Sequence, residues 1–165
     1  MIKKVKAEEL EACAEVIREG FGTVAKDFHL TVENCATNGA FMTYERLRGE
    51  FEAEKPMYAY WENDQIAGFY ELGDQGVRDG VHAVELEKIT VLPRFRHHAI
   101  GRKLIADAKE KVKVLGGDVI TIGIIEENTV LKEWYIKNGF VHNGTRKFEH
   151  LPFTVGFMSC KIKGE

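Results

Sequence analysis

Apolar side chains recur along the chain at two spacings, and these spacings divide it into helices and strands. Intervals of three and four residues are typical of a helix with one buried face, whereas alternation of polar and apolar residues is typical of a half-buried strand. Glycine, asparagine and proline mark the segment ends. The pattern predicts a strand over residues 2–6, helices over 7–20 and 44–51, strands over 57–62, 65–72 and 82–91, a helix over 101–115, a strand over 119–125, a helix over 129–137, and strands over 140–148 and 153–162.

Three local signals carry much of this assignment. Gly20 and Gly22 are expected to end the first helix, and residues 73–80, with two aspartates and three glycines, are expected to form a loop. Residues 119–125 are nearly all apolar and β-branched, which is typical of a central strand buried on both faces. Because some strands are joined by short turns and others by helices, the pattern predicts an α/β fold with mixed strand directions.

Composition limits the class of protein. A chain of 165 residues with 44% hydrophobic and 30% charged residues suits one globular domain. Its three cysteines, Cys13, Cys35 and Cys160, are too scattered for a disulfide framework, and neither cysteine nor histidine spacing matches a metal site. No leader-like or membrane-length apolar stretch is present, so the sequence predicts a cytoplasmic protein that holds no metal and does not bind membranes.

Charge narrows the choice of ligand. The net charge of −3 excludes the basic footprint of a nucleic-acid-binding protein. Residues 94–103 break the trend, because they contain four arginine or lysine side chains and two histidines but no acid. A basic segment on an acidic protein favours a small anionic ligand. A solvated start of a helix would have the same composition, so charge alone leaves both interpretations open.

The same segment joins a strand to a helix through a short turn. The turn contains the small residues Ala99 and Gly101. Unpaired amides and the positive end of the helix dipole favour an anion at such a position, and small side chains let a phosphate approach the backbone. The segment matches neither the P-loop nor the dinucleotide-binding pattern.

The turn sequence R-H-H-A-I-G at residues 96–101 resembles the [Q/R]-x-x-G-x-[G/A] motif of the GCN5-related N-acetyltransferases. Ala99 stands where that family usually has glycine, and alanine tolerates a left-handed backbone poorly. The strand at 88–93, the following helix and a later N…Y…N-G-F segment also fall where the family has them. The resemblance covers about residues 84–140, and the flanking segments resemble the family in their order.

The resemblance implies a single acyltransferase domain over residues 1–165, with a mixed central sheet of about six to seven strands flanked by about four helices. It also implies acetyl-coenzyme A as cosubstrate and a primary amine as acceptor. The amides of the 96–101 turn would hold the pyrophosphate, and Arg96, Arg102 or Lys103 would add charge. The cofactor-binding residues implied are Ile89, Thr90, Val91, Arg96, His97, His98, Ala99, Ile100, Gly101, Arg102, Lys103, Asn128 and Tyr135.

Three residues are implied in the chemistry. The main chain of the 89–91 strand would pair with the pantetheine arm, and the amide of Val91 would polarise the thioester carbonyl; the side chains of Ile89 and Val91 are expected in the core. Glu85 and Glu87 lie on one side of a strand by alternation, where partial burial would suit a base. The family position, about eleven residues before the motif, favours Glu85. The alternative is that these glutamates face solvent or pair with Lys88 or with arginine.

The resemblance also implies that Tyr135 protonates the departing thiolate. Tyr135 follows Asn128 by seven residues, so on one helix both would project to the same side. The resemblance gives Asn128 a contact with the pantetheine. The alternative for Tyr135 is a core aromatic residue packed beside Trp134 and Phe140.

The sequence does not identify the molecule that accepts the acetyl group. By the resemblance, residues 21–51 and 142–158 would grip it. The segment 149–158 would be strand core, a pocket wall or a subunit contact, and exposed edge strands are compatible with a homodimer. A small amine, an amino acid, an aminoglycoside-like compound and a protein amine all fit, and a non-catalytic acyl-coenzyme A sensor or interaction module is the alternative function. Acidic residues that would attract a cation are Asp27, Glu33, Glu45 and Glu50.

Overall fold

The structure, a computed structural model, describes residues 1–162. The elements occur in the predicted order, and the mixed α/β sheet with four α-helices is confirmed. Residues 163–165, the end of the expected single domain, lie outside the described part. The elements are β1 (Ile2–Lys4), α1 (Leu10–Asp27), α2 (Tyr44–Glu52), β2 (Met57–Glu62), β3 (Gln65–Arg78), β4 (Val81–Val91), α3 (Ile100–Val114), β5 (Val119–Ile125), α4 (Thr129–Lys137), β6 (Val141–Lys147) and β7 (Thr154–Lys161).

All seven strands belong to one sheet, in the order β1-β2-β3-β4-β5-β7-β6. The strands β4 and β5 are parallel, whereas β5 with β7 and β7 with β6 are antiparallel. The chain packs as two compact units. The N-terminal unit contains residues 1–72 and 87–107, and the described part of the C-terminal unit contains residues 73–86 and 108–162. No helix within residues 1–162 is long and apolar enough to cross a membrane.

In the N-terminal unit, α1 and α2 bury their apolar faces against the sheet. Leu10 and Ile17 of α1 and Leu47 of α2 join Met57 and Phe69 in one hydrophobic cluster. Full burial of a side chain of this size contributes about 1.5–3 kcal/mol. The three- and four-residue spacing seen in the sequence therefore corresponds to the helix faces that hold this core.

The prediction that glycines end α1 was wrong. The helix continues through Gly20 and Gly22 to Asp27. A Cβ atom at Gly20 would overlap the Thr90 hydroxyl group, whereas one at Gly22 would meet no atom within 4 Å. Gly20 is therefore required by close packing against β4, not by the turn chemistry that the sequence suggested.

The predicted loop over residues 73–80 is also corrected. The strand β3 continues to Arg78, and only Asp79 and Gly80 separate it from β4. Both residues have positive φ, at 52° and 78°. A two-residue turn of this handedness matches the twist of the strands in a hairpin, and it favours aspartate followed by glycine. The aspartate and glycine content thus reflects a tight hairpin.

In the C-terminal unit, β5 is fully buried on one face and only partly buried on the other, where Ile125 is buried but Gly123 is exposed, which corrects the prediction of burial on both faces. Ile120, Ile122 and Ile124 are buried. On the opposite face Thr121 is half-buried and Gly123 is exposed. Apolar residues that are β-branched make a good strand even where one face is open, so residue type alone overstated the burial.

Candidate functional site

The turn between β4 and α3 holds two residues in a left-handed conformation. His97 has φ 75° and Ala99 has φ 60°. For residues with a Cβ atom this conformation costs about 1–2 kcal/mol each, and such strain is typical of ligand-binding segments. Alanine is therefore accommodated at the motif position where the family usually has glycine.

This turn presents a row of unpaired amides. The Arg96 amide donates to the Pro93 carbonyl at 3.2 Å, and the first helical amide with an acceptor is that of Lys103, which donates to the Ala99 carbonyl at 3.2 Å. Within residues 1–162, the amides of residues 97–102 contact no acceptor. Amides at a helix start favour phosphate. The structure thus brings the amides of His97, His98, Ala99, Ile100, Gly101 and Arg102 together at the start of α3, in an arrangement that could hold an anion.

The Arg96 side chain anchors this turn to the protein. Its guanidinium group donates to the Gly20 carbonyl at 2.8 Å, the Thr23 hydroxyl at 3.0 Å and the Val91 carbonyl at 3.2 Å. Desolvation lowers the pKa of Arg96, but an arginine stays protonated in proteins. These three contacts give Arg96 a role in positioning the turn, and its contribution to phosphate binding stays a prediction.

Positive charge beside these amides comes from the first turn of α3. Arg102 and Lys103 are both exposed. The Lys103 ammonium group lies 3.4 Å from the Tyr60 hydroxyl and 5.7 Å from the centroid of that ring. Both residues therefore keep the charge that the sequence analysis assigned to them.

The end of β4 differs from the expected core pattern. Lys88 has φ 53°, a left-handed residue inside a strand. After it, Thr90 is buried and packs against Gly20, whereas Ile89 and Val91 are half-buried. The prediction that the side chains of Ile89 and Val91 are core is therefore wrong. An irregularity in a strand changes which residues face inward, and the sequence carries no turn signal for it.

Five charged side chains meet beside this strand, and we call them the carboxylate cluster: Glu50, Lys55, Glu71, Glu87 and Lys88. Lys55 lies 2.9 Å from Glu71 and 2.9 Å from Glu87. Lys88 lies 3.0 Å from Glu50 and 3.0 Å from Glu71. Glu71 is fully buried, and one oxygen each of Glu50 and Glu71 has no hydrogen-bond partner. Three carboxylates and two ammonium groups leave one negative charge.

Burial sets the titration of this cluster. Burial raises the pKa of Glu71 more than the ammonium groups of Lys88 and Lys55 lower it. Desolvation lowers the pKa of both lysines, but the neighbouring carboxylates outweigh it and both pKa values are raised. The lysines therefore stay charged at neutral pH, and burial favours the protonated form of Glu71.

The cluster also bears on the two candidate bases. Both oxygens of Glu87 accept from Lys55, at 3.0 and 2.9 Å. Glu87 is therefore paired with a lysine, although the lysine is Lys55 as well as the Lys88 named in the sequence analysis. Glu85 is half-buried on β4 and stands in register with Thr121 of β5. Of the four acids expected to attract a cation, only Glu50 belongs to the cluster; Asp27, Glu33 and Glu45 are exposed.

Tyr135 is buried on α4 between two aromatic rings. Its ring centroid lies 5.0 Å from that of Trp134 and 5.4 Å from that of Phe140. Burial raises the pKa of Tyr135, so its hydroxyl group keeps its proton at neutral pH, as an acid must. The aromatic packing named as the alternative is present, and the role of Tyr135 as an acid stays a prediction.

The placement of Asn128 is corrected. The helix α4 begins at Thr129, and Asn128 precedes it as the N-cap, where its side-chain oxygen accepts from the Leu131 amide at 3.2 Å. The residue is therefore not on the helix face with Tyr135. Asparagine before a helix is a common cap, and the sequence contained that signal.

A polar cluster in the C-terminal unit, formed by Glu126, Lys132 and His142, was not predicted from the sequence. Glu126 accepts from Lys132 and from His142 Nε2, the latter at 2.8 Å. These contacts lower the pKa of Glu126. A Cβ atom at Gly156 would overlap the Glu126 carboxylate. The three residues are separated along the chain, and the one local signal was a glycine inside β7.

Two of the three cysteines are buried, and the described residues contain no group of potential metal ligands. Cys13 and Cys35 are buried, and burial, aided by Glu9, raises the pKa of Cys13 to about 12. A thiol of that pKa is a poor nucleophile at neutral pH. Within residues 1–162 no three His, Cys, Asp or Glu side chains are grouped to hold a metal ion.

Known proteins resemble this chain in sequence and fold. YvbK, an uncharacterized N-acetyltransferase of Bacillus subtilis (strain 168), is 34% identical over 83 residues, covering 50% of this chain and 51% of that protein. An uncharacterized N-acetyltransferase from the pepI 3' region of Lactobacillus delbrueckii subsp. lactis is 28% identical over 116 residues, covering 68% of this chain and 64% of that protein. The chain thus spans about half to two thirds of the length of these relatives.

A solved structure shares the fold. YncA of Salmonella typhimurium, determined with its cofactor acetyl-coenzyme A, superposes with a TM-score of 0.75 at 20% identity, covering 100% of this chain and 95% of that one. The family model for the acetyltransferase (GNAT) domain matches residues 25–156. The chain therefore belongs to the GNAT acetyltransferase family.

Proposed function

We propose that this protein transfers the acetyl group of acetyl-coenzyme A directly to a primary amine. The observation that carries the proposal is the row of unpaired amides over residues 97–102, held by the Arg96 anchor and flanked by Arg102 and Lys103. This donor set fits the pyrophosphate of acetyl-coenzyme A. The acetyl-coenzyme A in the YncA structure supports the same cosubstrate.

The proposed chemistry assigns one role to each of three groups. Acetyl-coenzyme A supplies a thioester, and the amine nitrogen forms a bond to its carbonyl carbon while the carbon–sulfur bond breaks. The Val91 amide donates to the carbonyl oxygen, a placement worth a few kcal/mol. Glu85 takes the proton that the amine loses, directly or through water. Tyr135 gives its proton to the sulfur.

Thermal unfolding with and without acetyl-coenzyme A tests the binding step. At about 100 times its dissociation constant a one-site ligand adds about 2.7 kcal/mol, which raises Tm by about 5–10 °C for a domain of this size. No rise, with protein that is folded and free of retained coenzyme, would refute the proposal.

Two variants test the chemical step. Glu85→Gln and Tyr135→Phe should keep the acetyl-coenzyme A shift but lower transfer by about 100-fold or more, because each removes a proton-transfer group. Glu110→Gln, an exposed residue of α3, is the matched control. A normal shift with no transfer to any amine by the wild type would favour the non-catalytic sensor, and turnover within a few-fold of wild type in both variants would refute the assigned roles.

A further inference from the structure

The sheet of the C-terminal unit has an open face. Register pairs Glu85 with Thr121, Thr121 with Ser159, and Gly123 with Phe157. Paired residues project to the same side of a sheet, so these five residues share one face. The alternate residues Ile120, Ile122 and Met158 are buried on the other face.

Gly123 is a gap in the middle of this open face. It is exposed and interrupts a strand whose other residues are valine, isoleucine and threonine. A Cβ atom at Gly123 would meet only Val155, at an ordinary contact distance of 3.5 Å. The protein therefore has no steric need for glycine here, and glycine weakens a strand. One established reason for a glycine within a strand is the close approach of a ligand or of another backbone.

An exposed aromatic side chain lies beside Gly123. Phe157 is 39% exposed. Among the aromatic residues of the described chain, 1–162, it is the one that is exposed. Strands in a sheet are about 4.8 Å apart and rise about 3.4 Å per residue, so Phe157 lies next to Gly123 and Glu85 lies roughly 8 Å from Gly123. From the neighbouring strand β6, the side-chain amide of Asn143 donates to the Ser159 hydroxyl at 2.7 Å.

The size of the feature favours a small occupant. A stable protein interface covers about 800 Å² per partner, whereas the apolar part here is Phe157 and Val155 beside one glycine. Glu85 lies at one end of this feature, and a carboxylate favours an ammonium group over an anion. We define Gly123, Phe157 and Glu85 as the acceptor face.

We propose that the acceptor face binds an amine whose apolar body lies on Gly123 against Phe157, with its amino group toward Glu85. The inference rests on the proposed function and narrows its acceptor to primary amines that carry an aromatic or branched aliphatic group a few bonds from the nitrogen. Gly123 and Phe157 then determine specificity without taking part in the chemistry.

The test adds a side chain at position 123. The Cβ atom that Gly123→Val adds makes only an ordinary contact with Val155, and valine is a stronger strand former than glycine, so the acetyl-coenzyme A shift should be retained. The preference for 2-phenylethylamine over ethylamine, measured as the ratio of their kcat/KM values, should fall at least tenfold, because the valine side chain occupies the space of the apolar body. Phe157→Ala should remove the preference for 2-phenylethylamine. Gly49→Ala, in open space on α2, is the control and should change neither.

Three outcomes would overturn the proposal. The first is wild-type protein that does not prefer 2-phenylethylamine over ethylamine in transfer or in binding to the coenzyme A-loaded protein. The second is Gly123→Val that handles both amines like the wild type. The third is a wild-type dimer that Phe157→Ala converts to a monomer in size-exclusion chromatography, because a second copy would then cover this face. If the acetyl-coenzyme A shift persists, only the acceptor face fails; if the shift is absent, the proposed function fails as well.

Discussion

Replacing Arg96 with alanine tests whether the first motif residue anchors the turn or contacts phosphate. The guanidinium group donates three hydrogen bonds, to Gly20, Thr23 and Val91. A hydrogen bond from a charged donor contributes about 1.5–3 kcal/mol when buried, and a typical neutral one about 1 kcal/mol. Since Arg96 is half-buried, we take about 1 kcal/mol for each bond. The expected loss is about 2–3 kcal/mol in the free energy of unfolding.

Urea unfolding measures this loss, with the fluorescence of Trp61 and Trp134 as the signal. The midpoint should fall while the slope m stays constant, because the variant exposes the same surface on unfolding. At about 2–4 °C per kcal/mol, Tm should fall by about 5–10 °C. Affinity for acetyl-coenzyme A should weaken only modestly at temperatures where the variant is folded, because the amides of residues 97–102 remain.

Arg102→Ala is the matched control. This exposed residue lies in the same basic segment, so the variant should keep its stability within about 0.5 kcal/mol but bind acetyl-coenzyme A more weakly. The reasoning would be refuted if Arg96→Ala kept wild-type stability and lost coenzyme binding. That result would make the guanidinium group a phosphate ligand.

Two further predictions concern packing and pH. In α1, Gly20→Ala should lower the free energy of unfolding by about 1–3 kcal/mol because its Cβ atom overlaps Thr90. Gly22→Ala should raise the free energy of unfolding by about 0.5–1 kcal/mol. Equal effects of the two substitutions in urea titrations would contradict this explanation. The pKa of Glu71 is raised on folding, so its contribution to stability is complete below the unfolded pKa and is lost as pH rises through the folded pKa. Glu71→Gln should abolish this part of the pH dependence of Tm between pH 4.5 and 8, and an unchanged profile would exclude Glu71 as its source.

Local features of this protein were determined by the sequence alone. The spacing of apolar residues predicts every helix and strand in the observed order, because helix and strand periods are properties of the chain itself. The bounds of β2 and β5 agree with the prediction. The motif at residues 96–101 indicates the row of unpaired amides, because these donors belong to the backbone of consecutive residues.

Features that join distant residues were decided by the tertiary structure. The carboxylate cluster brings together Glu50 of α2, Glu71 of β3 and Glu87 of β4. The spacing of these residues along the chain gives no indication that their side chains are neighbours. Gly20 and Gly123 are both glycines within regular elements, yet a Cβ atom at Gly20 would overlap Thr90, whereas one at Gly123 would make only an ordinary contact with Val155. The role of a residue in such places depends on what the fold brings opposite it, and a one-dimensional pattern carries no information about that neighbour.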